Sequence, residues 1–391
     1  MKVNYDSNSL SWFQSSLTDQ LTIGGNKQII GYRNKGSDSI SFAMRLNNNH
    51  IGPLIGILTT LKPNGSIAGN SPLFIEIQKK LISLDGICFV FTPEGVDKEF
   101  IRGYTFIPDK NSWAKVRFPY PDLVYNRIPF RQSEQDNQSQ DFFSTLREKG
   151  IPFFNPCFID KYELYCLLET HPSLHKYLPR TILINEKKAL SIFFKKYKRI
   201  YLKPTQSAKG KGIFRIKLAA DRQIQLEGLN KVESYRSFDH FWEAWVKISQ
   251  NKSYLAQEEI KSIQYEGNRY DFRILAHAEN SGYRVTGVGI RQSLEQNITT
   301  HIPAGGILLP YQLFQTVEHD HFIDTTVNQI GKALTNVFGY FGEFSIDAGI
   351  SDAGHYYLYE VNSKPMSFDE IDIEKRKIEQ LCQLFLQLTN F

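Results

Sequence analysis

Two continuous apolar runs, IGPLIGILTT at 51–60 and GICFVFTP at 86–93, limit what this chain can fold into more than any other feature. A half-exposed strand alternates apolar and polar residues, so runs apolar at every position predict strands buried on both faces. Between them Leu73, Ile77, Leu81 and Leu84 recur at helical spacing. Strand, helix and strand in that order predict a βαβ crossover and hence a parallel sheet covered by helices. The expected fold class is therefore α/β, with α+β character in parts. At roughly 150 residues per domain, 391 residues imply two or three domains. Residues 1–50 alternate in short runs broken by Gly, Asn and Ser, which predicts a small β-rich unit. Residues 51–155 would form the α/β unit, and 156–391 a third region of mixed pattern.

Several classes are disfavoured. No apolar run reaches the ~18 residues of a membrane span, and MKVNYDSNSLSWF lacks the apolar core of a signal peptide. Cys88, Cys157, Cys166 and Cys382 form no CxxC pair, so a reducing cytoplasm is expected. The net charge of +5 is spread along the chain, which suits an anionic small substrate and argues against nucleic acid. Downstream, the pattern predicts a helix and an extended exit over 157–181, a helix and strand over 187–204, and a strand at 253–260. A hairpin over 270–293 turning at 279–282, a helix near 322–338, and a hairpin over 341–362 turning at 351–354 follow, with a C-terminal amphipathic helix. The polar stretch 133–141 reads as a loop or helix start.

Three clusters carry chemistry. YLKPTQSAKGKGIFRI (201–216) ends a strand on Lys203 and places Gly210 and Gly212 among Ser207, Lys209 and Lys211. Glycines let backbone N–H groups approach phosphate oxygens and ammonium groups neutralise them, although a solvated basic turn reads equally well. In GEFSIDAGISDAGHYYLYEVN (342–362), Glu360 and Asn362 are two apart and share a strand face. A turn centred on 352–353 puts Asp347 opposite Leu358 and diagonal to Glu360. Converging hard oxygen donors suit Mg²⁺; the bland alternative is an exposed acidic strand, which the flanking Ile346, Leu358 and Val361 disfavour. Third, Asp271, Arg273 and Arg291 sit on consecutive hairpin arms, followed by Asn297 in NITTHIPAGG. Arginine forks bind anions, but either one alone reads as a surface ion pair. His277 reads as a packed strand residue, and His301 is a minor candidate for an acceptor site. No cysteine has a basic partner in sequence, and no nucleophile elbow is present.

In this order the segments resemble the ATP-grasp superfamily over about 151–390. The resemblance implies an ATP-grasp fold with an upstream βα domain. It also implies that Lys161 (in IDK) and Lys203 (in YLKP) are the nucleotide lysines, and that Ser207, Lys209, Gly210, Lys211 and Gly212 form the flap over the phosphates. Gln257, Glu258, Glu259 and Ile260 (in AQEEI) would be the adenine hinge. Arg273, Arg291 and Asn297 would be catalytic, and Asp347, Glu360 and Asn362 would hold Mg²⁺, as two ions with Mn²⁺ as a substitute. GILTT and the YNRIP motif at Tyr125–Pro129 resemble the YheC/YheD-type, spore-coat-associated branch of bacilli. The implied activity is ATP-dependent ligation of a carboxylate to an amine or thiol through an acyl phosphate, on an amino acid or peptide. The implied location is the cytoplasm, with spore association. Neither nucleic acid nor membrane is an expected partner, and oligomerisation stays open. The rivals are a kinase using the same nucleotide clamp and a non-catalytic coat protein.

Overall fold

The computed structural model describes residues 1–15, 20–34, 39–207, 211–229, 231–250, 252–293 and 305–391. Seven short strands between Lys2 and Gly52 make the first sheet. Its Trp12 ring packs beside Phe118 of the second sheet, and the Trp12 indole donates to the Arg117 carbonyl at 2.8 Å.

The second sheet contains the expected βαβ unit. Strands Leu54–Leu58 and Ile87–Val96 pair in parallel, with helix Ser71–Ile82 between them in sequence. Their continuous apolar character has a direct cause. Leu54, Leu58, Phe89 and Phe91 face one core, while Ile55, Ile57, Cys88 and Val90 face another. Each such side chain contributes on the order of 1.5–3 kcal/mol when fully buried. Strands Leu123–Asn126 and Phe153–Phe154 extend the parallel side. Two antiparallel strands, Ile101–Ile107 and Ser112–Phe118, extend the other edge. The polar stretch after Pro129 is helical: Arg131–Gln135, then Asn137–Glu148, whose first turn Asp136 caps by accepting from the Ser139 N–H at 2.8 Å.

The third sheet runs, edge to edge, Thr181–Leu183, Tyr254–Glu258, Arg199–Pro204, Phe214–Leu218, Ile224–Glu227 and Val232–Tyr235. Leu190, Phe193, Phe241 and Trp245 from helices Lys187–Tyr197 and Phe238–Ser249 cover one of its faces. The fourth sheet runs Gly306–Leu309, Gly282–Ser293, Asn268–Glu279, Glu343–Ile350 and Tyr356–Asn362. Helix Val317–Phe338 seals one face of it with Phe322, Val327, Ile330 and Leu334. The C-terminal helix Ile371–Thr389 sends Leu381, Leu384 and Phe385 into the core shared with the second sheet. The third and fourth sheets thus face one cleft, with residues 129–132 beyond the second sheet's Leu123–Asn126 strand beside it.

The 343–362 hairpin turns where the sequence predicts, with Gly354 at φ +81°. Its register differs from the simple count. Ala348 pairs with Leu358 and Asp347 with Glu360, leaving Tyr359 as an extra residue in a bulge. Asp347 therefore faces Glu360 directly rather than diagonally. Among the described residues, no helix is long and apolar enough to cross a membrane.

Candidate functional site

A cavity of about 610 Å³ lies between the third and fourth sheets and opens against the upstream segment 129–132. Lys161 enters it from the first position of helix Lys161–Glu169, which starts there because Asp160 accepts from the Tyr162 N–H at 2.8 Å. Its ammonium donates to the Glu360 carboxylate and to the Ser207 carbonyl. Strand 199–204 buries Ile200 and Leu202 against its helices, so alternation turns Tyr201 and Lys203 into the cavity. The Lys203 ammonium donates to Gln257 Oε1 at 2.6 Å, and Gln257 Nε2 donates to Thr181 Oγ1 at 3.0 Å, which fixes the amide's orientation. Gln257 thus positions Lys203 from the strand beside it.

The hinge residues divide. Glu258 and Ile260 line the cavity, and the Glu258 carboxylate accepts from the Arg180 N–H at 2.7 Å. Glu259, just past the strand's last residue Glu258, is engaged instead by Arg215 at 2.9 Å and Arg199 at 2.8 Å. Ser207 lines the cavity. Lys211 and Gly212 are not among its lining residues. Gly212, at φ +73°, packs where a Cβ would stand 3.0 Å from Pro204 and 3.1 Å from the Tyr254 hydroxyl. Lys209, Gly210, Asn297 and His301 lie outside the described residues.

From the fourth sheet, Arg269, Asp271 and Arg273 project in one row, two residues apart. Asp347 is in register with Arg273 on one side and Glu360 on the other. Arg273 reaches Asp347 at 3.5 Å, and the Asn362 amide donates to Asp347 at 3.3 Å. Among the described residues no three His, Cys, Asp or Glu side chains gather as metal ligands, so the donor set is two carboxylates and one amide. Burial would raise the Glu360 carboxyl, but Lys161, with Lys203 and Arg273 behind it, holds it below its ordinary value.

Arg291 is placed differently from its expected role as an open fork. Its guanidinium is held by both carboxylate oxygens of Glu370, with Asp369 at 3.5 Å. Gly289 leaves room for that carboxylate, since a Cβ there would stand 2.2 Å from Glu370 Oε1. His277 is fully buried beside Thr286 at 2.7 Å, and burial pushes its imidazole down to about 4, leaving it neutral.

Sequence reasoning gives no signal for the contact with the upstream segment. The YNRIP motif sits where the second and fourth sheets meet. Tyr125 and Arg127 donate to buried Glu343, and the Asn126 amide donates to Glu134 and to the Asn155 carbonyl. Arg127 and Asn155 also donate to the loop after Asn362, at Pro365 O and Ser363 O, and Lys364 of that loop donates back to Ile128 O.

Burial depresses Lys203 to about 8, so it is charged at pH 7 and largely neutral by pH 9. A phosphate held by the charged form must bind more weakly as pH rises through that value. We expect ATP affinity to fall about tenfold between pH 7 and pH 9. Lys203→Ala should cost about one to two decades at pH 7 and flatten the dependence. Calorimetric titrations at both pH values check this; an unchanged affinity in the variant would remove Lys203 from the site.

Residues 150–391 match the profile of the YheC/D like ATP-grasp family. The endospore coat-associated protein YheD of Bacillus subtilis is 28% identical over 337 residues, covering 81% of this chain and 73% of YheD. The endospore coat-associated protein YheC of the same organism is 21% identical over 318 residues, covering 76% of this chain and 85% of YheC. Among solved structures, D-alanyl-alanine synthetase A of Vibrio cholerae superposes with a TM-score of 0.52 at 14% identity, over 87% of this chain and 99% of that one. The four-sheet arrangement is the mixed α/β ATP-grasp fold, and the chain belongs to the YheC/YheD-like ATP-grasp family.

Proposed function

We propose that this protein is an ATP-dependent carboxylate–amine (or carboxylate–thiol) ligase acting through an acyl phosphate, with an amino acid or peptide as substrate and ADP and phosphate as products. The observation that carries this reading is the convergence of two lysines, Lys161 and Lys203, with the Asp347–Glu360–Asn362 set across one cavity. The ATP-grasp membership makes nucleotide the natural occupant.

The donor set fits a hard divalent cation: two carboxylates in direct register, with an amide beside them, and both carboxylates now neutralised by Lys161 and Arg273. Mg²⁺ held by Asp347, Glu360 and Asn362, as two ions with Mn²⁺ as a substitute, would supply charge neutralisation on the transferring phosphoryl group. Lys161 and Lys203 would hold the triphosphate, with Ser207 beside it, and Glu258 and Ile260 would flank adenine. A substrate carboxylate oxygen attacks the γ-phosphorus, ADP leaves, and the acyl phosphate is then displaced by the amine with loss of phosphate. Arg273 would face the charge that develops there, and Arg291, its guanidinium held by Glu370, lines the same cavity. This step is positioning and charge neutralisation, and no side chain need become covalently attached.

The reaction would take place in the cytoplasm, with spore association by kinship to YheD and YheC. ADP release in a screen of carboxylate–amine pairs tests the reading. Release that requires both partners, with one phosphate per ADP, supports ligation. A phosphorylated acceptor would make the protein a kinase, and failure to bind nucleotide would leave a coat component.

A further inference from the structure

The cations lining the cavity are not equivalent. Lys161, Arg273, Arg291 and Lys364 each have a carboxylate partner, in Glu360, Asp347, Glu370 and Glu134. Lys203 and Arg269 contact Gln257 and the Tyr201 hydroxyl on the side between the third and fourth sheets. Arg131 stands apart. It comes from the upstream segment, its guanidinium donates to the Ile159 carbonyl at 2.7 Å, and it lies 5.0 Å from the Phe158 ring.

Acids near Arg131 are already engaged. Asp160 caps its helix by accepting from the Tyr162 and Glu163 N–H groups. Glu134 accepts from Asn126, the Phe158 N–H and Lys364, and Glu360 accepts from Lys161. Pro129, Phe130, Phe158 and Ile159 line the cavity along with Arg131. Phe130, next to Arg131 in the upstream segment, is 49% exposed, and Met366, next to the Pro365 whose carbonyl Arg127 binds, is 43% exposed; both line the cavity. Asp369, which also lines the cavity and is half exposed, makes a second negative charge on a ligand unfavourable there.

We propose that this end of the cavity is the subsite for the substrate to be activated, an apolar monocarboxylate whose carboxylate is bound by Arg131 and whose apolar group lies between Phe130 and Met366. The assignment of ends rests on the ligase reading, which gives the side between the third and fourth sheets to the nucleotide. A planar guanidinium pairs with a carboxylate through two parallel hydrogen bonds, and the hydrogen bond to the Ile159 carbonyl and the Phe158 ring hold this one in place. An apolar free amino acid and an apolar peptide C-terminus share this chemistry.

Calorimetric titration of the full chain saturated with Mg·ADP separates these sources, using L-leucine and N-acetyl-L-leucyl-L-leucine as probes. Glutarate and isopentylamine serve as comparators. At least one leucine probe should bind, more tightly than either comparator. Arg131→Met should weaken it roughly ten- to hundredfold, Arg131→Lys should fall between, and Mg·ADP affinity should not change. Phe130→Ser, at a half-exposed position that tolerates polarity, should also weaken the leucine probe, which keeps the test decisive if Arg131→Met does not fold. The subsite is overturned if neither probe binds, if glutarate binds better, or if Arg131→Met changes Mg·ADP affinity and not that of the probe. ATP and hydroxylamine added to the binding probe test the ligase reading separately. A hydroxamate supports both; binding through Arg131 without hydroxamate or ADP overturns ligation and leaves the subsite standing.

Discussion

Glu360→Gln should lower ATP turnover by a factor on the order of 10²–10³ while barely shifting the unfolding midpoint. The side chain keeps its shape but becomes a neutral and weaker donor to a hard cation, so stabilisation of the transferring phosphoryl group is lost. Stability responds to two opposed changes. The variant loses the ion pair with Lys161, whose partners are 14% and 32% exposed, and such a partly exposed pair contributes about 1 kcal/mol or less. It also removes a like charge directly opposite Asp347. ADP release and melting temperature measured on the same variant check the balance. A destabilised but fully active protein would make the Lys161–Glu360 pair structural and remove the metal assignment.

The largest stability effect is expected at Arg127. Its guanidinium lies 2.8 Å from Glu343, whose side chain is 0% exposed, and it also donates to the Pro365 carbonyl at 2.9 Å. Burial alone would raise the Glu343 carboxyl, but Lys377 and Arg127 hold it below its ordinary value, so it is buried as a carboxylate. Arg127→Met strips one cation from that carboxylate and leaves its charge in the core, which typically costs about 3–5 kcal/mol. Adding Glu343→Gln removes the stranded charge and should recover a large part of the loss, the coupling expected of contacting residues. Urea unfolding of the two single variants and the double variant measures it. A loss under about 1 kcal/mol in Arg127→Met would mean that Lys377 alone neutralises Glu343.

The difference between what sequence shows and what it hides follows sequence separation. Local periodicity exposes the βαβ unit, because the runs at 51–60 and 86–93 are apolar for a reason that acts within each strand. It also exposes the shared face of Glu360 and Asn362. The bulge at Tyr359 is not legible, since one extra residue in a strand leaves no mark on the apolar pattern. Partners hundreds of residues apart are equally silent: Lys161 and Glu360 are separated by 199 positions, and Arg127 and Glu343 by 216. Arg291 shows the same limit, because its fork is filled by Glu370, 79 positions downstream at the start of the C-terminal helix. Glu259 looks like part of the hinge in AQEEI, yet it is taken up by Arg199 and Arg215, 60 and 44 positions upstream, a pairing that no local pattern shows.

The Glu343 network joins the cleft to the rest of the molecule. Glu343 and Asp347 lie on one face of the 343–350 strand, so the upstream YNRIP motif grips the strand that presents Asp347. The adjoining loop is fixed from the same side through Ser363, Lys364 and Pro365, and by the Asn70 amide donating to the Ser367 hydroxyl at 2.7 Å. The segment from Asn362 to Glu370 thus runs from the carboxylate pair to the Arg291 clamp, held along its length by these hydrogen bonds.

The central claim, that a substrate carboxylate is activated by phosphoryl transfer from ATP, is tested most directly by following its oxygen. A substrate labelled with ¹⁸O in the carboxylate, turned over with ATP and an amine, should deliver one labelled oxygen to each inorganic phosphate released, read by mass spectrometry or by the isotope shift in ³¹P NMR. That is the result expected of an acyl phosphate, in which the carboxylate oxygen becomes the bridge to phosphorus and leaves with it. Turnover that releases unlabelled phosphate, with both labelled oxygens retained on the carboxylate, would contradict the account.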